Sequence, residues 1–159
     1  IVKMEKTLIK GVAKDNNVAS ISIVGLADKP GIAFKVFNCL AKNKINVDII
    51  LQSIGRNNTK DITFTVSQDN REDAVAVIEG LKESLNFKEV TYDECVSKVS
   101  IVGAGMQSNA GVAAKLFEAL YNVGVNIQMI STSEIKISVL IDSKDEAAAV
   151  ESIHDAFMA

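Results

Sequence analysis

One block of this chain is written twice, and the second copy stops an element short. Ser22-Ile23-Val24-Gly25 recurs as Ser100-Ile101-Val102-Gly103. Gly31, Ala33, Lys35, Phe37, Leu40 and Asn46 return as Gly111, Ala113, Lys115, Phe117, Leu120 and Asn126. Asp61-Ile62-Thr63-Phe64-Thr65-Val66 matches Glu134-Ile135-Lys136-Ile137-Ser138-Val139. Self-similarity of this kind marks a duplicated module, and the loops between matches vary as loops do.

In copy one, β-branched residues alternate over residues 19–25, a strand signal. Asp28-Lys29-Pro30-Gly31 then interrupts the chain, and Ile32, Val36, Phe37 and Leu40 follow at helical spacing, so residues 32–43 form a helix. Pro30 suits the first helical turn and Asp28 can cap its amides. Val47, Ile49 and Leu51 alternate as a second strand, and Ile62, Phe64 and Val66 as a third. Ala74, Val77, Ile78, Leu81 and Leu85 make a second helix stripe, and residues 87–92 a fourth strand. The order is βαββαβ.

Copy two repeats it as strand 99–103, helix 112–123, strands 126–131 and 135–141, and helix 145–157, with no fourth strand after it. An uncovered sheet edge is a liability. The unclaimed residues 7–14 supply the missing strand, which nests the first unit inside the second. The expected domains are residues 16–93 and residues 5–15 with 96–159. Two antiparallel sheets, each with helices on one face, give an α+β, ferredoxin-like architecture.

The chain is 48% hydrophobic and 23% charged, enough for a core and too apolar for a disordered tail. With a net charge of −3 and scattered lysines, nucleic acid is not an expected partner. Cys39 and Cys95 lack the close grouping of a metal or redox site and read as free thiols in a reducing compartment. No apolar run reaches the ~20 residues of a membrane span and no signal peptide is visible, so the expected location is cytoplasmic.

A strand, Asp-x-Pro-Gly opening a helix, and Asn-hydrophobic-Asp entering the next strand resemble the ACT domain. The two copies together resemble the regulatory half of aspartokinase. That likeness is carried by Gly11-Val12-Ala13-Lys14-Asp15, Leu51-Gln52-Ser53, Asp61-Ile62-Thr63-Phe64-Thr65 and Ile130-Ser131-Thr132-Ser133-Glu134-Ile135. It implies a sensor of threonine, lysine or both, seated at ACT–ACT interfaces, that inhibits phosphorylation of aspartate. The kinase domain or alpha subunit is the implied partner, together with a second copy in a homodimer. Nothing like the kinase Lys-Phe-Gly-Gly segment occurs, so no catalytic residues and no cofactor are expected, ATP and magnesium belonging to the kinase domain. Met4, with three residues ahead of it, favours a piece of a longer chain over a separate small subunit.

A free amino acid needs amide donors for its carboxylate and acceptors for its ammonium. Lys29, Pro30, Gly31, Ile32 and Ala33 lie where a helix start offers unpaired N–H groups and partial positive charge. Asp28 either meets the ammonium or caps the helix, the resemblance favouring ligand contact. Asn46, Val47 and Asp48 enter the neighbouring strand, and Gln52, on the face of Asp48 and Ile50, offers donor and acceptor or is a plain exposed glutamine. In copy two Ser108 and Ala110 replace the aspartate and proline, so an equivalent ammonium site is doubtful there. The resemblance implies contacts from Val112, Ala113, Asn126, Ile127, Ser133 and Glu134, although Ser133-Glu134 equally fits a tight strand connection.

His154, the single histidine, has no triad partners at a useful spacing. Asp69, Glu72 and Asp73, like Asp142, Asp145 and Glu146, suit helix starts better than a metal. Gly103-Ala104-Gly105 lacks the Gly-Lys-Ser/Thr of a P-loop. A free-standing ACT regulator is the competing function. A small phosphate-handling enzyme would need an arginine in the first strand–helix turn, and Arg56 and Arg71 are elsewhere.

Overall fold

The computed structural model describes residues 9–55, 57–103 and 110–158. The strands are β1 (Ile9–Asp15), β2 (Ala19–Ala27), β3 (Ile50–Ile54), β4 (Thr59–Val66), β5 (Glu89–Asp93), β6 (Val96–Gly103), β7 (Met129–Thr132) and β8 (Lys136–Asp142). The helices are α1 (Ile32–Lys42), α2 (Arg71–Glu79), the short α3 (Lys82–Leu85), α4 (Ala110–Asn122) and α5 (Glu146–Met158). Single 3-10 turns, Gln68–Asn70 and Ser143–Asp145, lead into α2 and α5.

Both sheets are four-stranded and antiparallel, in the orders β3-β4-β2-β5 and β1-β6-β8-β7. The leading strand pairs with β6, Val12 opposite Ile101 and Asp15 opposite Lys98, as the missing fourth strand required. Residues 17–94 form one compact unit apart from the undescribed position 56, and residues 9–16 form the other together with the described residues from 95 onward. The fold is therefore α+β, two ferredoxin-like βαββαβ units, the first inserted into the second.

Each unit closes on the alternation that defines its strands. Ile21, Ile23, Ile62 and Phe64 are wholly buried against Val36 and Leu40 of α1 and Ala74 and Ile78 of α2. Phe37 meets Phe64 edge-on with ring centroids 5.7 Å apart, a favoured aromatic geometry. In the enclosing unit Ile101, Val139 and Ile141 pack under Leu116 and Leu120 of α4 and Ala149 and Ile153 of α5. The opposite sheet faces carry matching hydroxyl bridges: Ser22 to Thr63 at 2.8 Å and Ser100 to Ser138 at 2.7 Å.

Those bridges correct the repeat. They equate Thr63 with Ser138 and Ile62 with Ile137, whereas the sequence match aligned Ile62 with Ile135, two residues away. Burial agrees, because Ile137 is 2% exposed and Ile135 is 60% exposed. A two-residue slip keeps every side chain on its face, so alternation alone cannot expose it.

The second helix of the inserted unit is also not continuous. It breaks at Gly80, where Leu81 N–H turns back to Ile78 O in an i→i−3 bond before α3 begins. The strand expected from Val47 onward starts only at Ile50, and its residues are all exposed.

Candidate functional site

Lys29, Pro30, Gly31 and Ile32 form a type II turn rather than helix. Gly31 sits at φ 90° and ψ −11°, and Ile32 N–H reaches Lys29 O at 3.5 Å. Pro30 therefore holds the second turn position ahead of the helix, not its first turn. Gly31 is needed for its left-handed backbone, since a Cβ there would touch nothing within 4 Å. With Gly31 as N-cap, no side chain caps α1, which leaves Asp28 out of the capping role. Among the described residues no acceptor meets the N–H groups of Ala33 and Phe34, and the helical ladder begins with Lys35 N–H on Gly31 O.

Asp28 is instead tied to the start of β4 and the turn before it. Its N–H donates to Asn58 O at 2.8 Å, and its carboxylate lies 3.8 Å from the ammonium of Lys60. The Lys60 side chain is 12% exposed and that of Asp28 is 47% exposed. Lys60 stands opposite Leu26 and shares the core-facing parity of Ile62 and Phe64. A lysine at that parity, two and four places before the core residues Ile62 and Phe64, is the signal through which sequence reasoning could have found it.

The expected contacts divide between the two ends of α1, an 11-residue helix about 16 Å long by its 1.5 Å rise. Asp28 to Ala33 lie at its start, and Gln52, exposed and opposite Ile62, lies on the same sheet face toward that end. Asn46, Val47 and Asp48 follow the helix end, where Ile45 N–H caps Leu40 O and Lys44 adopts a left-handed φ of 59°. Asp48 N–H pairs with Thr65 O, and the buried Thr65 hydroxyl accepts from Ile49 N–H.

The enclosing unit splits likewise. Val112 and Ala113 open α4, while Asn126 and Ile127 follow its closing bond, Val125 N–H on Leu120 O, past Gly124 at φ 70°. Ser133 closes the β7–β8 turn: its N–H donates to Lys136 O at 2.8 Å, and its hydroxyl accepts from Lys136 N–H at 3.2 Å. The strand-connection reading of Ser133 is thus realised, with Glu134 exposed beside it. Ser108, and the Ala104-Gly105 portion of the glycine turn, lie outside the described residues, as does Arg56.

A groove of about 250 Å³ lies elsewhere, between α1 and α3, lined in part by Phe34, Lys35, Lys42, Leu81 and Ser84. None of the expected contact residues lines it. His154 is exposed on α5, and neither Cys39 nor Cys95 forms a disulfide. Arg71 stacks over the Tyr92 ring, 4.1 Å from its centroid, and pairs with Glu94. Among the described residues no acidic, His or Cys group could hold a metal, and no helix is long and apolar enough to cross a membrane.

Two βαββαβ units, each an antiparallel four-stranded sheet with helices on one face, define an ACT-domain protein, and the ACT-domain family model matches residues 21–80 and 99–157. The aspartokinase of Mycolicibacterium smegmatis is 45% identical over 158 residues, which cover 98% of this chain but 38% of that protein. The regulatory subunit of aspartate kinase from Thermus thermophilus superposes with a TM-score of 0.90 at 39% identity, covering 94% of this chain and 99% of that subunit. A chain from a crystal structure of aspartokinase alpha and beta subunits gives 0.88 at 42% identity, with 95% and 99% coverage. The chain belongs to the aspartokinase family and corresponds to its regulatory part, spanning about 38% of the full-length relative.

Proposed function

We propose that this chain senses threonine, lysine or both for feedback control of aspartate kinase, the effector lodging between ACT units and signalling to a kinase domain or alpha subunit. The supporting observation is the divided contact set. Helix-start donors and the Asn46 or Asn126 segment sit at opposite ends of one unit, so they converge only when two units lie side by side in opposite directions. The edge strands β3 and β7 offer the means, with Ile50, Leu51 and Ile130 about half exposed. Strand edges with apolar side chains favour association, in agreement with a homodimer.

The test is thermal unfolding with each of the twenty amino acids, followed by sedimentation. Threonine or lysine at a hundred times its dissociation constant should add ~2.7 kcal/mol. No response to either at millimolar concentration, singly or together, sinks the proposal. A larger response to glycine, serine or phenylalanine would assign another effector.

A further inference from the structure

We infer that the second helix of each unit opens on a charge that selects which edge strand completes its sheet. Glu146 accepts β1 through Lys14, and Arg71 accepts β5 through Tyr92 and Glu94. Their opposite polarity holds the chain in its nested arrangement.

The selection is needed because β1 and β5 are so alike. Ser22 and Ser100 hold the same place in the two sheets, which puts Ala13 and Thr91 in one register position. By the same register Val12 matches Val90, each opposite an isoleucine, and Asp15 matches Asp93. Neither the valines nor the aspartates tell the strands apart. Local pairing is also within reach. If β1 folded back on β2 in the register that β5 occupies, residues 17–18 would make a two-residue hairpin turn. In the same way β5 on β6 would leave residues 95–96 as the turn. The observed sheets instead pair Asp15 with Lys98 and Asp93 with Ser20, far apart in sequence, although chain entropy favours the short closures.

On the face that Val12 and Val90 turn to the helices, the strands differ where Lys14 matches Tyr92. Lys14 lies 3.6 Å from Glu146, whose side chain is 14% exposed and also accepts the buried Ser97 hydroxyl at 2.6 Å. The Tyr92 ring lies under Arg71, which pairs with Glu94 just past the strand. Arg71 and Glu146 are equivalent, each the first residue of its helix after a 3-10 turn. A cation there opposes the helix dipole, so what Arg71 contributes comes from its strand contacts. The counterpart of Ser97 is Ala19, which has no hydroxyl to offer an acid. Exchanging the strands would set Lys14 against Arg71 and Glu94 against Glu146. At about 4 Å each like-charge contact disfavours the exchange by roughly tenfold. Among the described residues the other charges at the helix starts, Asp69, Glu72, Asp73, Lys144 and Asp145, form no ion pair with either strand.

The experiment traps the pairing by oxidative refolding of the dilute chain. Cys39→Ala and Cys95→Ser clear the background, and Ala13→Cys, Ser22→Cys and Ser100→Cys place one thiol on β1 and one on each possible partner strand. The two serine changes remove the hydroxyl bridge from both units alike. A disulfide between positions 13 and 100 reports the nested pairing, one between 13 and 22 the local pairing, and mass spectrometry of a digest gives their ratio. With the native charges the 13–100 bridge should dominate. Arg71→Glu with Glu146→Arg should raise the share of the 13–22 bridge about tenfold or more. Adding Lys14→Glu and Glu94→Lys restores both ion pairs in reversed polarity and should undo that rise. Arg71→Gln with Glu146→Gln is the second variant should the exchanged charges fold poorly, with an expected rise of about threefold. Dominance of the 13–22 bridge with native charges, or a ratio that neither variant moves, overturns the inference. So does a rise that the restored pairs fail to undo, which would mark lost stability rather than selection.

Discussion

The inserted unit and the unit around it share their interior bonds and differ along their outer helices. Both bridge their central strands through a hydroxyl pair, both end their first helix with the same backbone closure, and both enter the second helix through a 3-10 turn. In the enclosing unit α5 runs unbroken for 13 residues, Ser152 bonds to Ala119 O at 2.7 Å, and Lys115 lies over the Phe157 ring. In the inserted unit Gly80 breaks the corresponding helix, and the groove beside Phe34 and Leu81 stays open. What fixes strand register has been kept through duplication, while the solvent side has diverged.

The comparison can be broken most forcefully at the helix positions that the repeat equates. Leu40 and Leu120 are both fully buried. Leu40→Ala and Leu120→Ala should each cost about 2–5 kcal/mol in urea unfolding. The readout is convenient, because Tyr92 and Tyr121 are the two tyrosines, one per unit, and there is no tryptophan. Tyr121→Phe leaves a probe of the inserted unit alone. Costs differing severalfold would show that the two cores are not equivalent.

The hydroxyl bridges give a smaller effect. Ser138→Ala leaves the buried Ser100 hydroxyl without its partner and should cost about 1–3 kcal/mol. Thr63→Ala should cost less, since the Ser22 pair is only partly buried and water can replace the partner. In a double-mutant cycle Ser100→Ala with Ser138→Ala should cost less than the two single changes added. Strict additivity would remove the bridge from the list of shared devices.

The smallest change sharpens the comparison at the helix ends. Lys44 holds a left-handed conformation that its counterpart Gly124 adopts without strain. Lys44→Gly should therefore raise stability by about 0.5–1 kcal/mol, whereas Gly124→Ala should lower it by about 1 kcal/mol. A destabilising Lys44→Gly would mean that the lysine side chain contributes more than its backbone loses.

Element order and nesting were legible because apolar periodicity and a repeat short by one strand leave few arrangements. The strand 7–14 was placed by need, and β1 occupies that position. The register of β4 against β8 was not legible, since Ile135 and Ile137 alternate equally well and only pairing distinguishes them. Pro30 misled because Asp-x-Pro-Gly fits both a helix start and a type II turn, and the choice depends on φ at Gly31. Most of the expected contact residues fall at the ends of α1 and α4. That those ends are far apart follows from helix direction, which spacing in the sequence does not reveal.

The way the chain passes from β1 to β2 and from β5 to β6 has a topological consequence. β1 and β6 are adjacent antiparallel strands, as are β2 and β5, and Gln68 donates one amide group to both Val18 O and Glu94 O across the two crossings. The enclosing unit is thus a hairpin whose tip has been exchanged for an entire domain, joined by a pair of neighbouring tethers rather than one.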